Sequence, residues 1–361
     1  DKNSALKDVF SDYFLMGAAI NGSSIATAAI NDEGMADILK KHFNSTTLSN
    51  LMKPSYLLDE NASKASSDGM PVLKFDSIDP SLQFCKDNGI KMRGHTLVWH
   101  NQTPEWFFYK DYDTSKGLVD AATMELRLES YIKQVIQYCQ DNYPGVIYCW
   151  DVVNEAISDN GTWRIADNYW YTIMKETYIE KAFYYARKYA DKGVSLIYND
   201  YNVFLSQKRL AIYMLASNLK QKGLIDGLGL QPTVGLNTPE LDSDTPITSF
   251  KKTLEKYAEL GLELQITELS FKIDGDESNR TPENLQKQAD RYYEMMYLLL
   301  KEDSDNGGPC NITSVTVFGI CDDYPLYNNY KQNLYLWDKD LNPKACFYSY
   351  LQAGLDWQAN H

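Results

Sequence analysis

Two glutamates are placed to do chemistry in this chain. Glu155 ends the run Cys149-Trp150-Asp151-Val152-Val153-Asn154, and Glu268 follows Leu264-Gln265-Ile266-Thr267. Each stands where an apolar, β-branched run stops, and such runs read as fully buried strands. In a parallel barrel the C-terminal strand ends build the reactive face, so both carboxylates would project into one mouth. Two carboxyl groups flanking one cleft are suited to hydrolysing a glycosidic bond: one attacks the anomeric carbon while the other protonates the leaving oxygen. The acid of such a pair needs a raised pKa, which a neighbouring carboxylate and partial burial supply. Either glutamate alone, among 49 acidic residues, would be an ordinary acidic strand end, so the surrounding residues carry the argument.

Positioning two such groups requires a scaffold, and β-type segments recur with helical patterns between them. Eight strands are expected at 13–20, 42–46, 90–99, 146–153, 194–198, 228–231, 262–267 and 314–318. Amphipathic stretches at 124–142, 178–192, 207–222 and 282–301 read as helices, the last with Thr281 as N-cap and Pro282 at its first position. Strand–helix alternation repeated eight times predicts an α/β fold, a single (β/α)8 TIM barrel with right-handed crossovers. Polar, glycine-containing stretches at 59–71, 233–246, 273–280 and 303–309 are read as long loops at the C-terminal face, shaping an extended cleft. No repeat, low-complexity tract or linker divides residues 1–361, which are expected to form one catalytic barrel.

Bulk properties narrow the function classes. A hydrophobic content of 44% supports a substantial core, and no apolar run is long enough to span a bilayer, so no membrane partner is expected. The net charge of −14 repels phosphate backbones and argues against nucleic acid. The 27 tyrosines and 7 tryptophans provide both packing and sugar-stacking faces. Six scattered cysteines and four histidines make no zinc constellation, so no metal is expected; a Cys310–Cys321 bridge is a weak candidate. The opening DKNSALKDVF has no basic and apolar leader, so a signal peptide is expected to be absent or removed. Asn-x-Ser/Thr sequons at Asn21, Asn44, Asn61, Asn101, Asn160 and Asn311 matter only in a source that glycosylates proteins.

Further polar residues gather at the expected strand ends. His42-Phe43-Asn44-Ser45 leads to Asn50 and Lys53; Arg93-Gly94-His95-Thr96-Leu97-Val98-Trp99-His100 leads to Asn101, Gln102 and Thr103. Trp150-Asp151-Val152-Val153-Asn154-Glu155-Ala156, Tyr198-Asn199-Asp200-Tyr201-Asn202, Gln231 and Ile266-Thr267-Glu268-Leu269 follow in order. With these motifs the chain resembles family 10 of the glycoside hydrolases, the endo-β-1,4-xylanase family, over about residues 6–351. The resemblance implies retaining hydrolysis of internal β-1,4 bonds in xylan by double displacement, with Glu155 as acid/base and Glu268 as nucleophile. It implies that Asn154 binds the sugar 2-hydroxyl, that His95, Trp99 and Gln231 line the same subsite, and that Asn50 and Lys53 contact the next sugar on the non-reducing side. Tyr201 and Phe318 are further substrate-binding candidates. His100 is read as either a site residue or a buried structural histidine.

Five positions depart from the family pattern. Gln231-Pro232-Thr233 stands where Gln-x-His is usual, Ser270 where aspartate follows the ITEL motif, Ser49 where glutamate precedes Asn50, and Phe318 and Leu326 where two tryptophans are expected. The resemblance assigns the missing histidine and aspartate to bracing the nucleophile, so Thr233 and Ser270 become candidate replacements through their hydroxyls. Smaller residues at 318 and 326 would widen the subsite towards glucose, giving a β-1,4-glucanase or a mixed xylanase/glucanase. A site remodelled for a non-sugar substrate and a non-catalytic xylan binder are the remaining readings. Natural divergence ranks first because Asn50, Lys53, Asn154 and Gln231 serve no purpose without a sugar. No cofactor is required. The expected partner is xylan or a related β-1,4-linked polysaccharide, and a polymeric substrate places the enzyme outside the cell.

Overall fold

The computed structural model describes residues 1–322, except 21, 23 and 26, and residues 333–361. Among the described residues eight parallel strands close into a barrel: β1 (Leu15–Ile20), β2 (Ser45–Leu48), β3 (Lys91–Val98), β4 (Ile147–Asn154), β5 (Ser195–Tyr201), β6 (Gly227–Gln231), β7 (Glu263–Phe271) and β8 (Asn311–Val317). They pair in sequence order, and β8 completes the circle by pairing with both β1 and β7. A principal helix follows each strand: α1 (Glu33–His42), α2 (Asp79–Asn88), α3 (Ala121–Asn142), α4 (Thr177–Tyr189), α5 (Ser206–Gln221), α6 (Phe250–Ala258), α7 (Pro282–Glu302) and α8 (Ala345–Asn360). Side-chain caps start several of them. Asp32 accepts from Met35 N, Asp120 from Thr123 N and Thr281 from Asn284 N, each satisfying a backbone donor the helix cannot. The expected Thr281 cap and the proline at the first turn of α7 are both present.

The second strand lies later than expected. His42 is the last residue of α1, continuing the helical spacing of buried Met35 and Leu39, and β2 begins at Ser45. Tertiary packing holds it there: His42 Nδ1 accepts from Leu6 N at 3.3 Å, and its ring meets Trp337 and Phe347 at 5.5 and 5.1 Å. β7 runs four residues beyond the expected end, to Phe271, so Glu268 sits inside the strand rather than after it. A short strand, Thr233–Val234, pairs with Ser270 and Phe271 and sustains that extension. The 59–71 stretch is not plain loop; it contains the helix Glu60–Lys64. The 303–309 stretch connects α7 to the start of β8, which puts it at the N-terminal end of the barrel, away from the mouth. The Cys310–Cys321 bridge is not made.

The barrel interior holds a polar layer. Arg93 on β3 donates through both terminal nitrogens to Asp151 on β4 at 2.8 and 2.6 Å, and through Nε to Gln265 on β7 at 2.6 Å. Ser314 on β8 donates to the same Gln265 oxygen at 3.0 Å, and Ser45 on β2 bonds the Tyr148 hydroxyl at 2.8 Å. This layer therefore joins five of the eight strands by side chains as well as by ladders. Close strand approach beside this layer needs glycine. Gly94 pairs in register with Trp150, and a Cβ at Gly94 would enter the fully buried indole ring.

That contact generates a stability prediction. Gly94→Ala overpacks a rigid ring with nowhere to move and should destabilise the protein by about 1–3 kcal/mol. Urea unfolding measures it, and an unchanged midpoint would contradict this packing.

Candidate active site

Asn154 is the last residue of β4 and Glu155 turns the chain out of the barrel with φ +56°. A positive φ is disfavoured for a residue with a Cβ, so the neighbouring groups must hold it. They do: Glu155 N–H donates to Asn199 O at 2.8 Å, Arg164 Nε donates to Glu155 O at 2.8 Å, and Ala156 N–H donates to the Tyr198 hydroxyl at 3.0 Å. Asn199 and Tyr198 both belong to β5, so the neighbouring strand templates the turn.

A chain of amides joins the two glutamates. Asn154 Nδ2 donates to Glu155 Oε2 at 3.1 Å, while Asn154 Oδ1 accepts from Asn199 Nδ2 at 3.2 Å and from Gln231 Nε2 at 2.9 Å. Asn199 Nδ2 also reaches Glu268 Oε2 at 3.4 Å, and the Thr267 hydroxyl donates to Asn199 Oδ1 at 2.6 Å, orienting that amide. The ends of β4, β5, β6 and β7 are thus held around two partly buried carboxylates.

The remaining candidates fall into two groups. On one flank Lys53 Nζ donates to Asn50 Oδ1 at 3.2 Å and to Gln102 Oε1 at 2.7 Å, and lies 4.7 Å from the Trp99 ring centre. Gln102 Nε2 closes the triangle to Asn50 at 3.2 Å. Trp99 Nε1 is buried and meets no acceptor among the described residues. On the barrel floor His95 Nδ1 bonds Asp151 Oδ2 at 2.7 Å, and Phe318 stands edge-on to the ring at 6.2 Å. Beyond Glu155, Tyr201 accepts from Arg164 at 3.0 Å, and Lys208 Nζ lies 3.7 Å from its ring centre.

Charges around the mouth separate the carboxyl groups. Burial works against ionised Asp151, but the Arg93 guanidinium and the His95 bond overcome it and hold the carboxyl down at about 2. Burial, with Asp200 adding repulsion, pushes Glu155 up to about 7 against the pull of Arg164 and Lys208. Burial, then the charges of Glu155 and Asp151, raises Glu268, while Lys53 and Arg93 oppose. Lys53 is itself lowered by burial to about 8, with Glu268 the larger of its two favourable partners and Glu155 the smaller. Its ammonium therefore favours the ionised form of Glu268 more than that of Glu155. Burial lowers His95 despite Asp151 and takes His100 down to about 4, with Arg164 adding to the effect, so both rings are neutral at pH 7. This arrangement can offer a proton from one carboxyl and a nucleophile from the other.

Thr233 and Ser270 do not brace the Glu268 carboxylate as a hydroxyl pair. Thr233 Oγ1 donates to the backbone oxygen of Glu268 at 3.2 Å, and Asn199 takes the carboxylate instead. Leu326 lies outside the described residues. Sequence reasoning passed over three residues that act here. Asn199 was visible in the quoted strand-end motif and Gln102 three residues after Trp99, whereas Arg164, nine residues after Glu155, carries no local signal.

The profile "Glycosyl hydrolase family 10" matches residues 5–353. A "Putative endo-1,4-beta-xylanase" of Caldicellulosiruptor saccharolyticus is 78% identical over 309 residues, covering 86% of this chain and 99% of that protein. "Endo-1,4-beta-xylanase B" of Butyrivibrio fibrisolvens is 38% identical over 357 residues, and the match spans 97% of this chain but about half, 53%, of that longer protein. Among solved structures, a Clostridium thermocellum endo-1,4-β-D-xylanase complexed with xylohexaose superposes with a TM-score of 0.84 at 31% identity, covering 97% of this chain and 67% of that one. An intracellular xylanase of Thermoanaerobacterium saccharolyticum, complexed with xylotetraose, does so with a TM-score of 0.80 at 33% identity, covering 96% and 98%.

The raised Glu155 pKa carries a linkage prediction. A carboxyl whose folded value is about 7 and whose ordinary value is 4.5 imposes no cost below 4.5 and destabilises the fold progressively as pH rises through 7. Glu155→Gln removes that cost. Its stability relative to the parent, read from urea midpoints, should therefore improve steadily from about pH 4 to about pH 8, and a pH-independent difference would refute the assignment.

Proposed function

The chain belongs to glycosyl hydrolase family 10, and on that premise we propose that it is a retaining endo-1,4-β-xylanase. The carrying observation is the amide chain through Asn154 and Asn199 that ties Glu155 to Glu268 at the barrel mouth. In the first step a Glu268 oxygen bonds the anomeric carbon as the bond to the leaving oxygen breaks, and the Glu155 proton passes to that oxygen. In the second step water gives its proton to Glu155 and its hydroxyl to the same carbon, releasing Glu268. Asn154, held by Gln231 and Asn199, is suited to bond the sugar 2-hydroxyl beside the reacting carbon. Lys53, Asn50, Gln102 and Trp99 supply donors, acceptors and an aromatic face for glycone sugars, with His95 and Phe318 as floor and wall. Tyr201 serves the leaving-group side. A neutral polyol matches this lining better than an anion would, since both central groups are acidic.

Residues 1–361 act in this reading as one catalytic barrel. No helix among the described residues is long and apolar enough to cross a membrane. A polymeric substrate favours action outside the cell; activity on soluble xylan well above that on xylotriose supports this, and the reverse preference points to intracellular use.

Xylan hydrolysis with release of xylo-oligosaccharides tests the reaction, β-glucan serving as the comparison substrate for a widened subsite. Glu268→Ala should lower kcat by on the order of 10^4-fold or more, and the first-formed sugar should keep the β configuration by NMR. Intact activity in that variant removes Glu268 from the mechanism, and an α product removes double displacement.

A further inference from the structure

The turn at Glu155 is held by three hydrogen bonds of unequal kind. Two come from β5: Asn199 O from its backbone, and the Tyr198 hydroxyl, itself anchored on buried Asp200 at 2.6 Å. The third comes from Arg164, a residue of the loop after β4, whose Nε donates to the Glu155 carbonyl at 2.8 Å.

Arg164 is held firmly for a loop residue. Its N–H donates to Ala156 O at 2.8 Å, Ile157 and Trp163 form an antiparallel bridge, and Ser158 N–H donates to Thr162 O at 2.8 Å. Asn168 Nδ2 grips the Arg164 carbonyl at 2.8 Å. At the hairpin tip Gly161 adopts φ +83° against the Gln207 backbone, where a Cβ would lie 2.7 Å from Gln207 O. The other end of the guanidinium donates to the Tyr201 hydroxyl at 3.0 Å. Tyr201 is fixed in turn, its N–H donating to Asp200 at 2.8 Å and its ring covered by Lys208, which pairs with Asp200 at 2.9 Å.

Resting on the glycosidase reading above, we propose that Arg164 is the positioning residue of the acid/base: it clamps the Glu155 carbonyl in its left-handed turn and couples it to Tyr201, so that the carboxyl meets the leaving oxygen. A planar guanidinium donates from Nε and from a terminal nitrogen at fixed, separated positions, which lets it hold the Glu155 carbonyl and Tyr201 at once. The lysine ammonium is a single point donor on a flexible stem. Without the clamp, a residue with a Cβ at φ +56° drifts towards negative φ and carries its carboxyl with it. Arg164 does not itself touch the reacting atoms. Its loss should therefore appear only where proton transfer by Glu155 limits the rate.

Leaving-group dependence tests this. Arg164→Met, Arg164→Lys and the parent are compared by kcat/KM, which reports the first chemical step, on xylan, phenyl β-xylobioside and 2,4-dinitrophenyl β-xylobioside. The first two need a proton on the departing oxygen; dinitrophenolate departs without one. Arg164→Met should lose roughly 10- to 100-fold on xylan and the phenyl glycoside but stay within about threefold on the dinitrophenyl glycoside, as impaired acid catalysis requires. A burst of dinitrophenolate should accompany this, because Glu155 also activates water in the second step. Arg164→Lys should show the same imbalance at smaller size. Equal losses on all three substrates, or an unchanged rate on xylan, overturn the proposal. Should Arg164→Met fail to fold, the imbalance or equality in Arg164→Lys decides. A parent inert on every substrate overturns the glycosidase reading itself.

Discussion

The buried pair between Arg93 and Asp151 is the interaction on which the rest depends. Both side chains are essentially inaccessible, joined by two charge-assisted bonds, with Gln265 taking the remaining direction of the guanidinium. Removing either partner would strand a charge in the barrel at a cost of about 3–5 kcal/mol. The pair spans β3, β4 and β7, two of which deliver the glutamates, and Asp151 also fixes His95 on the floor of the mouth. Barrel closure and site geometry are therefore one constraint.

Three carboxyl groups in this small volume behave differently because each faces different neighbours. Asp151 meets a guanidinium and a ring nitrogen and stays ionised. Glu155 is raised by burial and by the charge of Asp200, and Glu268 by burial and by the charges of Glu155 and Asp151, while neutral amides hydrogen-bond both. Amides can orient a carboxyl without fixing its charge, and that leaves a proton available for transfer. Lys53 supplies the asymmetry, as its charge is felt more by Glu268 than by Glu155.

Most of the scaffold was legible because its signals are local. Strand–helix alternation, the Thr281 cap and the apolar runs ending near Glu155 and Glu268 need no tertiary information. The failures share a cause. His42 looked like strand because it precedes a β-type run, but three aromatic neighbours and Leu6 keep it in α1. The 303–309 stretch has loop composition, yet composition does not say which end of a barrel a loop occupies. Thr233 and Ser270 suited a bracing role by type, while the geometry sends one hydroxyl to a backbone carbonyl and gives the carboxylate to Asn199.

By itself the sequence determined the barrel, the two carboxylates at its mouth and the polar residues that come with them, because strand periodicity and residue type act over a few neighbours. Only the tertiary structure decided which groups meet: that Asn199 rather than Thr233 holds Glu268, and that Lys53 sits in a triangle with Asn50 and Gln102. It also decided that Arg164 returns across a hairpin to hold the turn at Glu155. Hydrogen bonds are directional and short, so their partners are selected by positions that only the closed barrel defines.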